Sequence, residues 1–157
     1  MIDKNISISY KEYSSVGELS AEDRALVEAA IQAQKTSYAP YSRFNVGAAV
    51  RLADGTIVKG SNQENAASPS GLCAERTALF AAGAQHPGVP IVSMAIAGGP
   101  GMTLCDEPAT PCGACRQVMA EYERLQRHPL RVLCYLANGR VRLFQSVADL
   151  LPFTFQI

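Results

Sequence analysis

The chain of 157 residues has no tryptophan, only two histidines and no excess of either charge. Its 14 lysines and arginines balance 14 aspartates and glutamates, so the formal net charge is +0. Affinity for nucleic acid comes mainly from clustered lysine and arginine, and single-stranded bases stack on aromatic side chains. The neutral charge, the missing tryptophan and the absence of a basic stripe therefore argue against a nucleic-acid partner.

Long apolar runs are also missing. The run VPIVSMAIAG, at residues 89–98, is far shorter than a bilayer requires, so we expect no membrane partner. The first residues, MIDKNISISY, lack the apolar core of a signal peptide. We therefore expect a cytoplasmic protein whose five cysteines are reduced. In that compartment a Cys-x-x-Cys pair more often indicates a metal or catalysis than a structural disulfide.

What the chain does contain is typical of a globular domain, with 48% hydrophobic and 18% charged residues. The spacing of the apolar residues predicts helix, strand, strand, helix, strand, helix, strand, strand, and hence an α/β fold with a mixed sheet. Residues 89–98 read as a buried central strand. Ser20 and Asp23 have the form of a capping box, so a helix should begin there and end near Tyr38.

The first 19 residues are polar and uneven, and we treat residues 1–19 as an N-terminal extension of a domain at 20–157. Within this extension ISISYKEY alternates apolar and polar residues. That pattern is compatible with an edge strand or a contact to a partner, and at least as well with a loosely held arm.

The stretch TPCGACRQ places Cys112 and Cys115 three residues apart. Thr110 has the character of a helix N-cap and Pro111 that of a first helical residue, which would put both cysteines in the first turn. A helix N-terminus favours thiolates, which can bind zinc or attack disulfides. By itself the pair leaves zinc binding, redox chemistry and packing open.

A second stretch, CAER, adds Cys73 at the start of another predicted helix. A fourth ligand is hard to find, because His86 and His128 each precede a proline at a predicted helix end, while Cys105 lies in a loop and Cys134 in a strand. A structural zinc site normally has four closed ligands. Three ligands leave one position open, which is the arrangement of a catalytic zinc that binds water.

Two charged residues follow Cys73. Glu75 is either a helix-start residue that interacts with the helix dipole or a general acid and base beside the metal, and the three cysteines favour the second interpretation. Three thiolates and one Zn²⁺ sum to a negative charge, so we expect Arg76 to be the main charge-balancing donor. Arg116 is equally compatible with a surface role.

Several blocks of the chain together resemble the short, homotetrameric cytidine deaminases, in that family's order and over roughly residues 20–157. They are YAPYSRFNVGAAV, NQEN, GLCAERTALF, TPCGACRQVMAEY and LLPFTF. The resemblance implies a three-layer α/β/α fold, with a mixed five-stranded sheet and helices on both faces. It also implies one zinc ion per subunit, sites shared between subunits, and hydrolytic deamination of cytidine and 2′-deoxycytidine.

The resemblance further implies a role for each matching residue: zinc ligands Cys73, Cys112 and Cys115; proton shuttle Glu75; sugar contacts Asn62 and Glu64; nucleoside packing Phe44 and Phe155; and pyrimidine-edge contacts from the backbone N–H of Ala74 and the C=O of Thr110. One departure is Ser68, which stands where many family members carry a tyrosine that reaches a neighbouring subunit's site.

Other functions remain to be weighed against this one. The closest is a deaminase of the same superfamily that acts on another small aminonucleoside. A nucleic-acid editing deaminase conflicts with the neutral charge. A non-catalytic zinc module conflicts with the open fourth position, and a thiol-redox protein leaves the third cysteine unexplained.

Overall fold

A mixed sheet of six strands forms the middle layer of the protein in a computed structural model that describes residues 1–157. The strands are β1 (Lys11–Tyr13), β2 (Phe44–Leu52), β3 (Ile57–Ser61), β4 (Ile91–Pro100), β5 (Arg131–Tyr135) and β6 (Val141–Phe144). Their order across the sheet is β1-β6-β5-β4-β2-β3. Only β4 and β5 are parallel neighbours, so the predicted mixed sheet is confirmed. The central strand β4 begins and ends two residues later than predicted.

The predicted count of five strands is wrong, because β1 adds a sixth strand at one edge. Lys11 pairs with Leu143 and Tyr13 with Val141 of β6. Of the alternating stretch ISISYKEY only the last three residues form strand, while the preceding residues are exposed. The sheet therefore extends into the N-terminal 19 residues, and a domain boundary at residue 20 stays a prediction.

Helices cover both faces of the sheet, as predicted for a three-layer α/β/α fold. They are α1 (Ala21–Gln34), α2 (Ala74–Gln85) and α3 (Gly113–Gln126). The side chains of β4 point alternately to the two faces of the sheet, so the strand contributes to two separate core clusters. Met94 and Ile96 belong to the buried cluster shared with α2 and α3. Ala95 and Ala97 belong to the cluster shared with α1.

Two glycines let helices lie directly on the sheet. A Cβ atom on Gly47 of β2 would stand 2.1 Å from the carbonyl oxygen of Ala30 in α1. A Cβ atom on Gly60 of β3 would stand 2.4 Å from the backbone nitrogen of Ala78 in α2. Both contacts are with backbone, so neither helix can yield to a larger side chain without moving as a whole.

Helix α1 begins as predicted but ends early. The backbone N–H of Asp23 donates to the Ser20 hydroxyl at 3.1 Å, so Ser20 is the N-cap. The helix ends at Gln34 rather than near Tyr38, because the backbone of Tyr38 pairs elsewhere. Its N–H donates to the carbonyl of Asn62 at 2.9 Å, and its own carbonyl accepts from the N–H of Glu64 at 2.8 Å.

None of the helices combines the length and the apolar character needed to cross a bilayer.

The Asp23 carboxylate provides a test of how α1 is anchored. It binds Arg131 through both oxygens, at 2.7 and 3.1 Å, and Arg51 approaches to 3.8 Å. Removal of a buried partner costs about 3–5 kcal/mol, and partial exposure of the two arginines reduces this, so we expect Asp23→Ala to lower the free energy of unfolding by about 2–3 kcal/mol. Urea denaturation measures the loss.

Glu22→Ala is the matched control. Its side chain is 72% exposed and binds Arg51 at 3.1 Å, so we expect a loss of about 0.5 kcal/mol or less. Equal losses for the two variants would contradict the anchoring role of Asp23.

Candidate active site

Two cysteines occupy equivalent positions at the starts of two helices. Cys73 is the N-cap of α2, and Cys112 is the N-cap of α3, each with an extended backbone. The predicted N-cap Thr110 and first helical residue Pro111 are therefore wrong, as is the predicted placement of Cys112 in the first turn. Extended backbone continues to residue 112, so α3 starts at Gly113. Of the three cysteines, Cys115 alone lies inside a first turn.

The three thiols meet at one point. The sulfur of Cys112 lies 3.7 Å from that of Cys73 and 3.5 Å from that of Cys115, and all three sulfurs lie within 4.8 Å of one another. A tetrahedral zinc ion with Zn–S bonds of about 2.3 Å requires sulfurs roughly 3.8 Å apart. All five cysteines of the chain are free thiols, so the cluster is available to a metal and its spacing fits zinc.

The surroundings of the cluster favour thiolate. A hydrogen bond from the Cys115 thiol and then the guanidinium of Arg76 lower the pKa of Cys73 to about 5. The same interaction with Cys73, together with burial, raises the pKa of Cys115. Cys73 therefore ionises first, and its negative charge lies where a cation would bind.

The two arginines that follow the cysteines play different parts. Arg76 directs Nη2 to the sulfur of Cys73 at 3.6 Å, in line with the expected charge balance. Arg116 instead donates to two backbone carbonyls, those of Pro111 at 2.8 Å and Leu150 at 2.9 Å. It therefore ties the chain before α3 to the C-terminal segment and does not contact the thiols.

No fourth side chain joins the cluster. His86 is the C-cap of α2, about 20 Å along the helix axis from Cys73. His128 lies beyond the far end of α3, exposed, with Nδ1 at 2.8 Å from the Pro129 carbonyl. The set that can hold a metal is the three cysteines.

Glu75 is buried beside the cluster. It is the second residue of α2 and only 5% exposed. Burial raises the pKa of its carboxyl above the usual value, and the negative charge of Cys73 adds to the rise. A carboxyl in such a place holds a proton more readily than a surface glutamate, which suits a group that accepts and returns protons.

Glu75 opens onto a cavity of about 470 Å³, which we call the Glu75 cavity. Most of the residues predicted for the site line it: Phe44, Asn62, Cys73, Ala74, Glu75, Thr110 and Cys112. Sequence analysis predicted no role for the other lining residues, although two of them belong to the block YAPYSRFNVGAAV: Ser42, Val46, Ile96, Pro108 and Ala109. The walls are mainly apolar, as suits a flat ring.

A second cavity of about 480 Å³ adjoins the first and shares Ser42, Asn62 and Cys73 with it. We call it the Glu64 cavity, because Glu64 lines it and not the first. Arg76 and Ser68 also lie on its wall. Ser68, which stands where many family members carry a tyrosine that reaches a neighbouring subunit, therefore lines a cavity of its own chain.

The residues expected to bind the sugar also hold the start of β2. The side-chain amide of Asn62 donates to the Phe44 carbonyl at 2.8 Å and accepts from the Val46 N–H at 2.9 Å. The Glu64 carboxylate accepts from the backbone N–H groups of Tyr41 at 2.9 Å and Ser42 at 3.2 Å, and from the Ser42 hydroxyl. These bonds, led by the hydroxyl, lower the pKa of Glu64.

Phe155 is not brought into either cavity by the fold of this single chain. Its side chain is 71% exposed. Its backbone is fixed by the side chain of Gln117, which donates to the Phe155 carbonyl at 3.0 Å and accepts from its N–H at 3.1 Å. The ring is thus held on the surface by an ordered backbone.

Comparison with known proteins agrees with this geometry. The model of the family described as "Cytidine and deoxycytidylate deaminase zinc-binding region" matches residues 20–128. A curated protein named cytidine deaminase, from Halalkalibacterium halodurans, is 41% identical over 131 residues, covering 83% of this chain and 91% of that protein. Another so named, from Sporosarcina psychrophila, is 42% identical over 132 residues, covering 83% and 88%. The crystal structure of cytidine deaminase from Burkholderia pseudomallei has a TM-score of 0.72 and 44% identity, covering 83% of this chain and 97% of that one.

Cys112→Ser tests the metal cluster. Serine is a preferred N-cap, so α3 should still begin at residue 113, and the exposed position of Cys112 makes a packing defect small. We expect zinc content after dialysis to fall to a small fraction of the unmodified chain's, because one thiolate ligand is gone. Elemental analysis of the purified protein measures this.

Cys105→Ser is the matched control, since Cys105 lies outside the cluster and its backbone bonds to Gly98 and Ala137 are unaffected. Its zinc content should equal that of the unmodified chain. Full zinc retention by Cys112→Ser would refute the ligand assignment.

Proposed function

The chain belongs to the cytidine and deoxycytidylate deaminase family, and from this premise we propose that it hydrolyses cytidine and 2′-deoxycytidine to uridine and 2′-deoxyuridine, with release of ammonia. The observation that carries the proposal is the meeting of a buried carboxyl, Glu75, and a three-thiol cluster at one cavity. A cavity of about 470 Å³ is of the size that small-molecule sites have.

Zinc is the cofactor of this family's domain, and we infer that Cys73, Cys112 and Cys115 hold one ion per chain. A zinc ion bound by three thiolates supplies a Lewis acid that makes water a nucleophile near neutral pH. Arg76 and the N-termini of α2 and α3 offset the negative charge of the thiolates.

Glu75 moves the protons of the reaction. Its carboxylate takes a proton from the attacking water and delivers it to N3 of the cytosine ring. It then takes the remaining proton from the new hydroxyl on C4 and delivers it to the exocyclic amino group, so that the C4–N bond breaks, ammonia leaves and C4 keeps a carbonyl oxygen. One water is consumed and the ring keeps the oxygen. The raised pKa of Glu75 places its proton affinity closer to neutral pH, where such transfers are efficient.

Two backbone groups, the N–H of Ala74 and the carbonyl of Thr110, form hydrogen bonds with the edge of the pyrimidine ring. Ala74 is the first residue of α2, and an N–H in a first helical turn has no partner within the helix. It is therefore free to donate to the base, while the carbonyl of Thr110 on the same cavity accepts from the amino group. Phe44 on the cavity wall packs against the ring.

Asn62 and Glu64 contact the sugar hydroxyls. Both line the Glu64 cavity, and Asn62 lines the Glu75 cavity as well, so a nucleoside whose base lies beside Glu75 can extend its sugar towards them. Two hydrogen bonds of the Asn62 side chain are made within the chain, which leaves its second amide hydrogen as a donor. Glu64 is an acceptor.

The substrate is a free nucleoside in the cytoplasm. The formal net charge of +0 gives no electrostatic attraction to a phosphate backbone. Five free thiols are consistent with a reducing compartment.

A homotetramer with shared sites completes the proposal. Phe153 and Phe155 near the C-terminus are 80% and 71% exposed, and apolar rings so placed are suited to burial by another copy of the chain. Phe155 of one copy would then pack against the nucleoside of its neighbour.

Glu75→Gln tests the proton shuttle. The change keeps the shape and removes the carboxylate, so we expect kcat for cytidine to fall by about 10³-fold or more while zinc content stays unchanged. The loss of absorbance as cytidine becomes uridine gives the rate, with 2′-deoxycytidine and other aminonucleosides as parallel substrates. Glu121→Gln, on the exposed part of α3, is the control with unchanged rate. Near-normal turnover by Glu75→Gln would rule out its role.

Shared sites are tested by complementation. Phe155→Ala alone should raise KM for cytidine, and Glu75→Gln alone should be nearly inactive. Co-expression of the two variants should restore part of the activity, because some sites then pair an intact Glu75 with a neighbour's intact Phe155. Light scattering gives the mass of the assembly. A monomer, or no recovery on mixing, would contradict shared sites.

A further inference from the structure

The Glu64 carboxylate is largely occupied by bonds within the chain. One oxygen accepts from the N–H groups of Tyr41 and Ser42, and the other accepts from the Ser42 hydroxyl. A carboxylate offers about four acceptor positions. Three are used here, which leaves about one for a ligand in the Glu64 cavity.

Ser42 bonds in two directions. Its hydroxyl donates to Glu64 and accepts from the backbone N–H of Phe44 at 3.0 Å. Ser42 lines both cavities, whereas Phe44 lines the Glu75 cavity and Glu64 the other. One hydroxyl therefore connects the carboxylate expected at the sugar with the wall expected at the base.

A left-handed turn produces this arrangement. Arg43, between Ser42 and Phe44, has φ of 56°, a conformation that residues other than glycine adopt rarely. Its N–H donates to the Ala39 carbonyl at 3.1 Å, and its carbonyl accepts from the Gly101 N–H at 3.0 Å. The turn folds the chain back so that the Phe44 N–H after it reaches the Ser42 hydroxyl before it, which itself donates to Glu64. Such a strained residue persists where the surrounding bonds fix it, often at a functional site.

We propose that Ser42 is a positioning residue for sugar recognition: its hydroxyl fixes the plane of the Glu64 carboxylate so that the remaining acceptor position faces the 3′-hydroxyl of the substrate. This inference rests on the proposed function, because it presupposes a nucleoside in the two cavities. Ser42 does not act on the reacting atoms, so its effect falls on binding of the sugar and not on proton transfer.

The test compares two substrates that differ in the 3′-hydroxyl alone, 2′-deoxycytidine and 2′,3′-dideoxycytidine. We expect Ser42→Ala to lower kcat/KM for 2′-deoxycytidine about tenfold, mainly through KM, because a hydrogen bond to a charged group is lost. For 2′,3′-dideoxycytidine, which cannot use Glu64, the change should stay within about twofold. Ser42→Thr keeps a hydroxyl and should restore most of the discrimination.

The controls separate positioning from folding. Ser70→Ala removes an exposed hydroxyl from the neighbouring loop and should leave both substrates unchanged. In a Glu64→Gln background, Ser42→Ala should add no further loss of discrimination, because both act through one contact. Zinc content and Tm of each variant are measured alongside.

The outcomes are distinguishable. An equal loss for both substrates would show that Ser42 is merely structural, and unchanged discrimination would show that Glu64 does not need it; either result overturns the inference. If the unmodified chain deaminates neither substrate, the proposed function itself fails.

Discussion

The contact between helix α2 and strand β3 is the constraint on which the site depends. Gly60 lets the strand lie so close to the backbone of Ala74 and Ala78 that any larger residue at position 60 would push the helix away. This close contact places Ala74 and Ala78 in the core, both fully buried. Cys73 is then the cap, Glu75 faces its cavity, and Arg76 reaches back to the cap thiol. A short stretch of sequence thus brings a thiol, a buried carboxyl and a guanidinium together because the sheet fixes the helix that carries them.

The two N-cap cysteines do not form the hydrogen bond that an ordinary N-cap makes to its own helix, but their thiols can stabilise the fold by binding a metal together. A serine or aspartate N-cap satisfies a free N–H of its own helix and contributes about 1 kcal/mol. Neither Cys73 nor Cys112 makes such a bond, so the first turns of α2 and α3 keep unpartnered N–H groups. These groups leave positive potential beside the thiols, which favours thiolate and frees the N–H of Ala74 for a ligand. Metal binding by the ordered cluster offsets the weaker helix starts, since binding energy to a folded site is also folding energy.

Local signals in the sequence predicted much of the fold and of the candidate site, and most of what they missed depends on pairing between distant residues. The cysteine spacing, the continuous apolar run of β4 and the Ser20 cap depend on neighbours within a few residues, and the structure contains all three. The alternation of ISISYKEY allowed an edge strand, but the pairing of Lys11 with Leu143, 132 positions away, is not recorded in any local pattern. The start of α3 was misread for a different reason: Thr110 and Pro111 have the composition of a helix start, but extended backbone continues to Cys112. Apolar cavity walls such as Ile96 look like ordinary core until the fold opens a cavity beside them.

Hydrogen bonds between two segments that are distant in the sequence also limit which substitutions the walls of the two cavities can accept. Residues 38–44 and 62–64 are joined by the backbone of Tyr38, by the amide of Asn62 and by the carboxylate of Glu64. Asn62 therefore lines both cavities and also fixes the carbonyl of Phe44, a residue of the Glu75 cavity wall. A substitution that moves the sugar contacts also moves the wall against the base, because the two share these bonds. Under the proposed function we expect adaptation to a different sugar to be easier at Ser68, which lines the Glu64 cavity without a side-chain bond to either segment, than at Asn62 or Glu64, whose side chains hold the two segments together.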